Sequence, residues 1–106
     1  MSRCVAIATL HAREGKEEDA RAALHEAQRS THQEAGCGLY ALHVDESDPR
    51  TLVMIEIWDA DASLESHIAS PHVQALIAKS ETLFDGPPEI QKLTPLPFGD
   101  SGKGEL

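Results

Sequence analysis

The segment Leu52-Val53-Met54-Ile55-Glu56-Ile57-Trp58 is apolar at nearly every position of both its alternating faces. A β-strand sends successive side chains to opposite sides of its sheet. A sheet with one wet face therefore alternates apolar and polar residues, and this run does not. The N-terminal segment behaves the same way, with Val5 and Ile7 on one parity and Cys4, Ala6 and Ala8 on the other. Both faces of the sheet must be covered.

The remaining chain offers helices for one face. Residues 4–12 read as a strand and residues 13–16 as a turn. Glu17, Glu18 and Asp19 follow, where the positive end of a helix favours acids. Ala20, Ala23, Leu24, Ala27 and Thr31 recur at helical spacing, which predicts a helix over 16–34 with a narrow, alanine-rich stripe. Gly36 and Gly38 end that pattern before a strand at 39–45, and 46–50 is a polar loop before the strand at 51–58. Asp61 can cap a short helix through Ile68. Ser70-Pro71 opens another, which carries Val73, Leu76, Ile77, Leu83 and Phe84 on one face. The Asp85-Gly86-Pro87-Pro88 stop precedes a last strand at 89–96. Residues 1–96 form one domain, and 97–106 are a polar, Gly-rich tail.

The order is β-α-β-β-α-β, the ferredoxin-like α+β pattern of a four-stranded antiparallel sheet with helices on one face. The opposite face would bear Val5, Ile7, Val53, Ile55 and Ile57, and exposing such side chains costs ~1.5–3 kcal/mol each. A second copy of the chain is the expected cover, giving a homodimeric α+β barrel.

Charge narrows the partners. A net charge of -9 repels nucleic-acid phosphates and anionic membrane surfaces. No apolar run reaches the ~18 residues of a membrane span, and the N-terminus lacks a basic-then-apolar leader pattern, so a soluble cytoplasmic protein is expected. Cys4 and Cys37 lack metal or redox spacing and read as small hydrophobes.

Three local patterns carry a family likeness: Ala12-Arg13-Glu14-Gly15-Lys16-Glu17-Glu18 at the turn into the first helix, Glu34-Ala35-Gly36-Cys37-Gly38-Leu39-Tyr40 at the entry to strand two, and Val53-Met54-Ile55-Glu56-Ile57-Trp58 followed by Leu64, His67 and Ser70-Pro71-His72. Together they resemble the antibiotic biosynthesis monooxygenase family over residues 3–96, most closely its quinol-monooxygenase branch. The resemblance implies a dimer with facing sheets and one pocket per subunit between sheet and helices. It also implies oxidation of quinols or polycyclic phenols with O₂, without metal, flavin or other cofactor. Other branches degrade haem or isomerise a phosphorylated signalling sugar. The haem branch places Asn, Trp and a ligating His where this chain has Ala8, His67 and Ile77. Haem degradation is therefore not expected.

Cofactor-free oxygen chemistry needs a base, donors for a phenolate and a dry pocket. His67 flanks the buried face of its short helix, and His72 sits at the positive end of the next; each is either the base or a structural hydrogen-bonding residue. Glu56 is the one charge inside an apolar strand and needs a partner, for which His67 is the candidate. Trp58 and Tyr40 are either core residues or substrate contacts. His43 is a weaker candidate on strand two, and Met54 and Leu76 complete the expected lining. His25 and His32 fall opposite the apolar stripe and read as solvated. Two histidines five apart across a helix break, without a nearby acidic cluster, make a poor metal site. Two other functions fit the same residues: an isomerase for a small phosphorylated metabolite, and a non-catalytic module holding an aromatic ligand.

Overall fold

The computed structural model describes residues 3–106. The chain runs β1 (Cys4–His11), α1 (Glu17–Thr31), β2 (Cys37–Asp45), β3 (Asp48–Trp58), α2 (Asp61–Ile68), α3 (Pro71–Ala78), α4 (Ser80–Leu83) and β4 (Glu89–Leu93). The strands form one antiparallel sheet in the order β2-β3-β1-β4. This is the ferredoxin-like arrangement that the alternation of elements predicts.

Register explains how β3 serves two faces. Trp58, Glu56, Met54 and Leu52 pair with Cys4, Ala6, Ala8 and Leu10 of β1, and this parity faces the helices. Ile57, Ile55 and Val53 pair with Val5, Ile7 and Thr9 on the outer face. On the inner face large β3 side chains lie beside small β1 ones, and α1 contributes Ala20, Leu24, Ala27 and Thr31. That alanine-rich stripe is buried as its spacing predicts. The Thr31 hydroxyl donates back to the Ala27 carbonyl at 2.7 Å as α1 ends.

Several boundaries differ from expectation. Helix α1 stops at Thr31 rather than 34, so Glu34 stands in the loop before β2. The loop placed at 46–50 is a hairpin turn of Glu46 and Ser47, with Asp45 opposite Asp48 and the Asp45 carboxylate accepting from the Ser47 N–H. Pro49 is tolerated in β3 because the pairing with β1 begins only at Thr51. The helix expected through Phe84 breaks at Lys79. Strand β4 ends at Leu93 rather than 96, ahead of Pro95 and Pro97, which have no N–H for a ladder.

The outer face is partly covered by the chain itself. The C-terminal residues, read from sequence as a polar, Gly-rich tail, come beside Val5 and Leu93, with a 3.7 Å ion pair between Arg3 and Glu105. Val5 and Ile57 are buried, while Ile7, Val53 and Ile55 are half-buried. Among the described residues no helix is long and apolar enough to cross a membrane.

Candidate active site

A cavity of about 100 Å³ lies between the inner sheet face and the helices. Ala8 and Met54 contribute to its sheet side and Leu24, Leu64 and Leu76 to its helical side, while Tyr40, Glu56 and His67 are its polar lining. Ile68, Ile77 and Ile90 also line it, and each is at least 40% exposed, so they form an apolar rim. Apolar walls with a few convergent polar groups are the usual form of a small-molecule site.

His67 is the centre of the polar cluster. Leu64 and His67 are the buried residues of α2, one helical turn apart, which brings the imidazole down against the sheet. The ring lies tilted beside Trp58, with centroids 4.6 Å apart, and meets Tyr40 edge-on at 5.0 Å. Its Nδ1 lies 2.8 Å from Glu34 Oε2, and His72 Nε2 lies 2.8 Å from the same oxygen. Ser70 adds a third contact, its hydroxyl 3.1 Å from His72 Nε2 while it donates to the His67 carbonyl at 2.6 Å. Burial pushes the His67 pKa below its ordinary 6.5, and the Glu34 carboxylate pulls it partly back.

Gly36 is what lets Glu34 reach these rings. A side-chain carbon at Gly36 would collide with the Ser63 side chain near the start of α2. The Gly36 carbonyl also accepts from the Asp59 N–H at 3.0 Å. The loop thus lies directly against the β3–α2 connection, and Glu34 arrives at the α2–α3 junction.

Glu56 departs from expectation. Its carboxylate accepts the Trp58 indole N–H at 2.9 Å rather than pairing with His67. The two share a strand face two residues apart, whereas the Nδ1 edge of His67 is turned to the loop carrying Glu34. Burial pushes the Glu56 pKa up to about 7; the Trp58 donor opposes that rise and the charge of Glu34 adds to it. Burial likewise raises the Tyr40 pKa, assisted by Glu56 and Glu34.

The other candidates separate by parity and depth. Met54 and Leu76 line the cavity as expected. Trp58 does not: it is 1% exposed and stands behind His67 as core. His43 pairs with Val53 on the outer face and contacts its own strand at the Ala41 carbonyl, so it lies outside the site. His72 is not on the cavity wall either; it borders a separate surface depression between α1 and α3. His32 is exposed as expected, yet its ring lies 2.9 Å from the Tyr40 carbonyl on edge strand β2.

Sequence reasoning missed Glu34 as a site residue. Its signal was the Glu34–Tyr40 motif itself, where a polar residue stands two positions before an obligatory glycine. Glu34, His67 and His72 also bring three ligand-type atoms within 4.8 Å, a trio that could hold a divalent cation. Two features fit such an ion poorly. Tetrahedral ligands at ~2.0–2.2 Å sit roughly 3.3 Å apart, wider than the 2.8 Å seen here, and among the described residues neither outer imidazole nitrogen has the carboxylate acceptor that ligating histidines usually have.

The model of the antibiotic biosynthesis monooxygenase family matches residues 3–79, which include β1, Glu34, Glu56, His67 and His72. The chain belongs to this family. It is similar to the solved structure of PA3566 from Pseudomonas aeruginosa, with 32% identity, a TM-score of 0.85, and coverage of 91% of this chain and 96% of that one. The structure of Rv0793 from Mycobacterium tuberculosis superposes with a TM-score of 0.84 at 27% identity, covering 93% and 100% of the two chains. A structure described as an antibiotic biosynthesis monooxygenase matches at 26% identity and a TM-score of 0.82, over 89% of this chain and 99% of that one. The Synechocystis protein sll1783 is 31% identical over 58 residues, covering 55% of this chain but 40% of that protein.

Proposed function

We propose that this family member is a cofactor-independent monooxygenase that oxidises a phenol or quinol with O₂. The observation that carries this reading is His67, a buried imidazole on the wall of an apolar cavity, with its pKa lowered by burial. Such a group is neutral at pH 7 and can accept a proton.

In the reaction, the phenolic O–H bond breaks and its proton goes to His67. The phenolate passes one electron to O₂, giving a phenoxyl radical and superoxide. Their recombination forms a carbon–oxygen bond, and the peroxide takes a proton back. Loss of water leaves one oxygen atom on the ring as a carbonyl. An apolar cavity favours the electron-rich phenolate over a solvated one. At about 100 Å³ the cavity is smaller than the ~150 Å³ apolar void that takes a benzene, so a bound ring would fill it and project toward the exposed rim. Further rings of a polycyclic phenol would lie along the rim of Ile68, Ile77 and Ile90.

Among the described residues the lining includes no Lys or Arg, which disfavours a phosphorylated isomerase substrate. The homodimer belongs to the same proposal, with Ile7, Val53 and Ile55 as the outer-face contacts.

The test is oxygen uptake with menadiol. The rate should scale with protein above autoxidation and rise with pH through a value below 6.5. His67→Ala should lose ~10²–10⁴ of it. Traces equal to the buffer blank across several quinols would end the oxygenase reading and leave a ligand-binding module.

A further inference from the structure

We propose that Glu34 is the positioning residue of this site: its Oε2 fixes the His67 ring as the Nδ1–H tautomer and leaves Nε2 bare to take the substrate proton. The inference rests on the oxygenase reading for its chemistry, but its geometry stands apart from it.

A carboxylate only accepts hydrogen bonds. The 2.8 Å contacts from Glu34 Oε2 to His67 Nδ1 and to His72 Nε2 therefore place a proton on each of those nitrogens. For neutral His67, a proton on Nδ1 means none on Nε2. That nitrogen has no hydrogen-bond partner among the described residues, while the ring lines the cavity. Which imidazole nitrogen is basic is set by the bond the other makes.

His72 secures the arrangement from the far side. It holds the same oxygen and contacts the Ser70 hydroxyl, so Oε2 is gripped from both α2 and α3 and cannot swing into the cavity. When His67 takes the proton it becomes an imidazolium, and Glu34 is the carboxylate in direct contact with it. The groups facing His67 are Glu34 from the loop, Glu56, Tyr40 and Trp58 from the sheet, and His72 from α3. The Glu56 carboxylate is bonded to Trp58, so Glu34 alone supplies a direct ionic contact.

The deciding experiment needs no turnover. Long-range ¹H–¹⁵N correlation spectra of the full-length, ¹⁵N-labelled protein, recorded at about pH 8, report which nitrogen of each histidine carries hydrogen. The wild type should show His67 as Nδ1–H, and Glu34→Gln should shift it toward the Nε2–H form and lower the pH at which it titrates. A wild-type His67 protonated on Nε2, or a Glu34→Gln spectrum and titration identical to wild type, overturns the proposal. With menadiol as substrate, Glu34→Gln should lower kcat by at least about ten-fold, toward the ~10²–10⁴ carried by the base itself, with KM nearly unchanged and the acid limb moved to lower pH. A variant with wild-type kcat also overturns it. If the wild type oxidises no quinol while His67 is the Nδ1–H tautomer, the oxygenase reading fails and the positioning role stands.

Discussion

The Glu56 carboxylate accepts the indole N–H of Trp58 at 2.9 Å, and both side chains lie on the inner face of β3. This single donor does not offset the loss of water around a buried carboxylate, which is why its pKa rises to about 7. The folded chain therefore holds a proton that the unfolded chain, with its ordinary value of 4.5, has released. Stability from this group is fully present below about pH 4.5 and is lost as pH rises through about 7. Glu56→Gln keeps an acceptor for Trp58 without the charge. At about pH 8.5 it should be more stable than wild type by about 3 kcal/mol, with the gap closing toward pH 5. Urea midpoints of both proteins at the two pH values measure this; parallel midpoints would rule it out.

Gly36 is expected to tolerate no side chain. The added carbon of Gly36→Ala meets the Ser63 side chain and Asp59, so the loop must move away from the β3–α2 connection. Overpacking of this kind costs ~1–3 kcal/mol. The His67 and His72 ring resonances should shift with it, because Glu34 rides on the same loop. A variant with unchanged melting temperature and unchanged histidine shifts would show that the loop has slack.

The dimer proposal predicts that the purified chain sediments at twice its 11.5 kDa mass. Ile55→Asp places a charge among Ile7, Val53 and the other outer-face residues, and should give aggregate or unfolded chain. A well-folded Ile55→Asp monomer would count against a dimer built on this face.

Oxygen uptake should persist after dialysis against a chelator. Adding Zn²⁺ should leave the rate nearly unchanged, since the 2.8 Å contacts of Glu34 with His67 and His72 are too close for a cation between them. Activity that disappears with chelator and returns with metal would mean that the trio works as a metal centre.

Much of the fold was legible because it follows from parity. The mixed apolar faces of Val53 to Trp58 located the central strand, and the alanine stripe of α1 is buried as its spacing required. Ser70-Pro71 marked a helix start that the structure keeps, with Ser70 at the cap and Pro71 first in α3. The site was only half legible. His67, Tyr40, Met54 and Leu76 line the cavity, since parity and helical phase are local properties. The partner of His67 was not, because it depends on where a loop 33 residues away in the chain is carried by Gly36. His43 was misplaced for a simpler reason: the β2–β3 ladder is regular from Leu39 to Val44, so alternation puts His43, three residues from Tyr40, on the opposite face beside Val53.

The small residues of β1 have a further consequence. Ala8 contributes to the floor of the cavity, while the groups proposed to handle protons come from α2, α3 and the loop before β2. Cavity depth and the proposed acid–base groups are thus encoded in separate stretches of chain. Exchanging Ala8 for valine or leucine would shorten the space available to a ring without touching Glu34, His67 or His72. A lineage built on this plan can change what it accepts while keeping how it reacts.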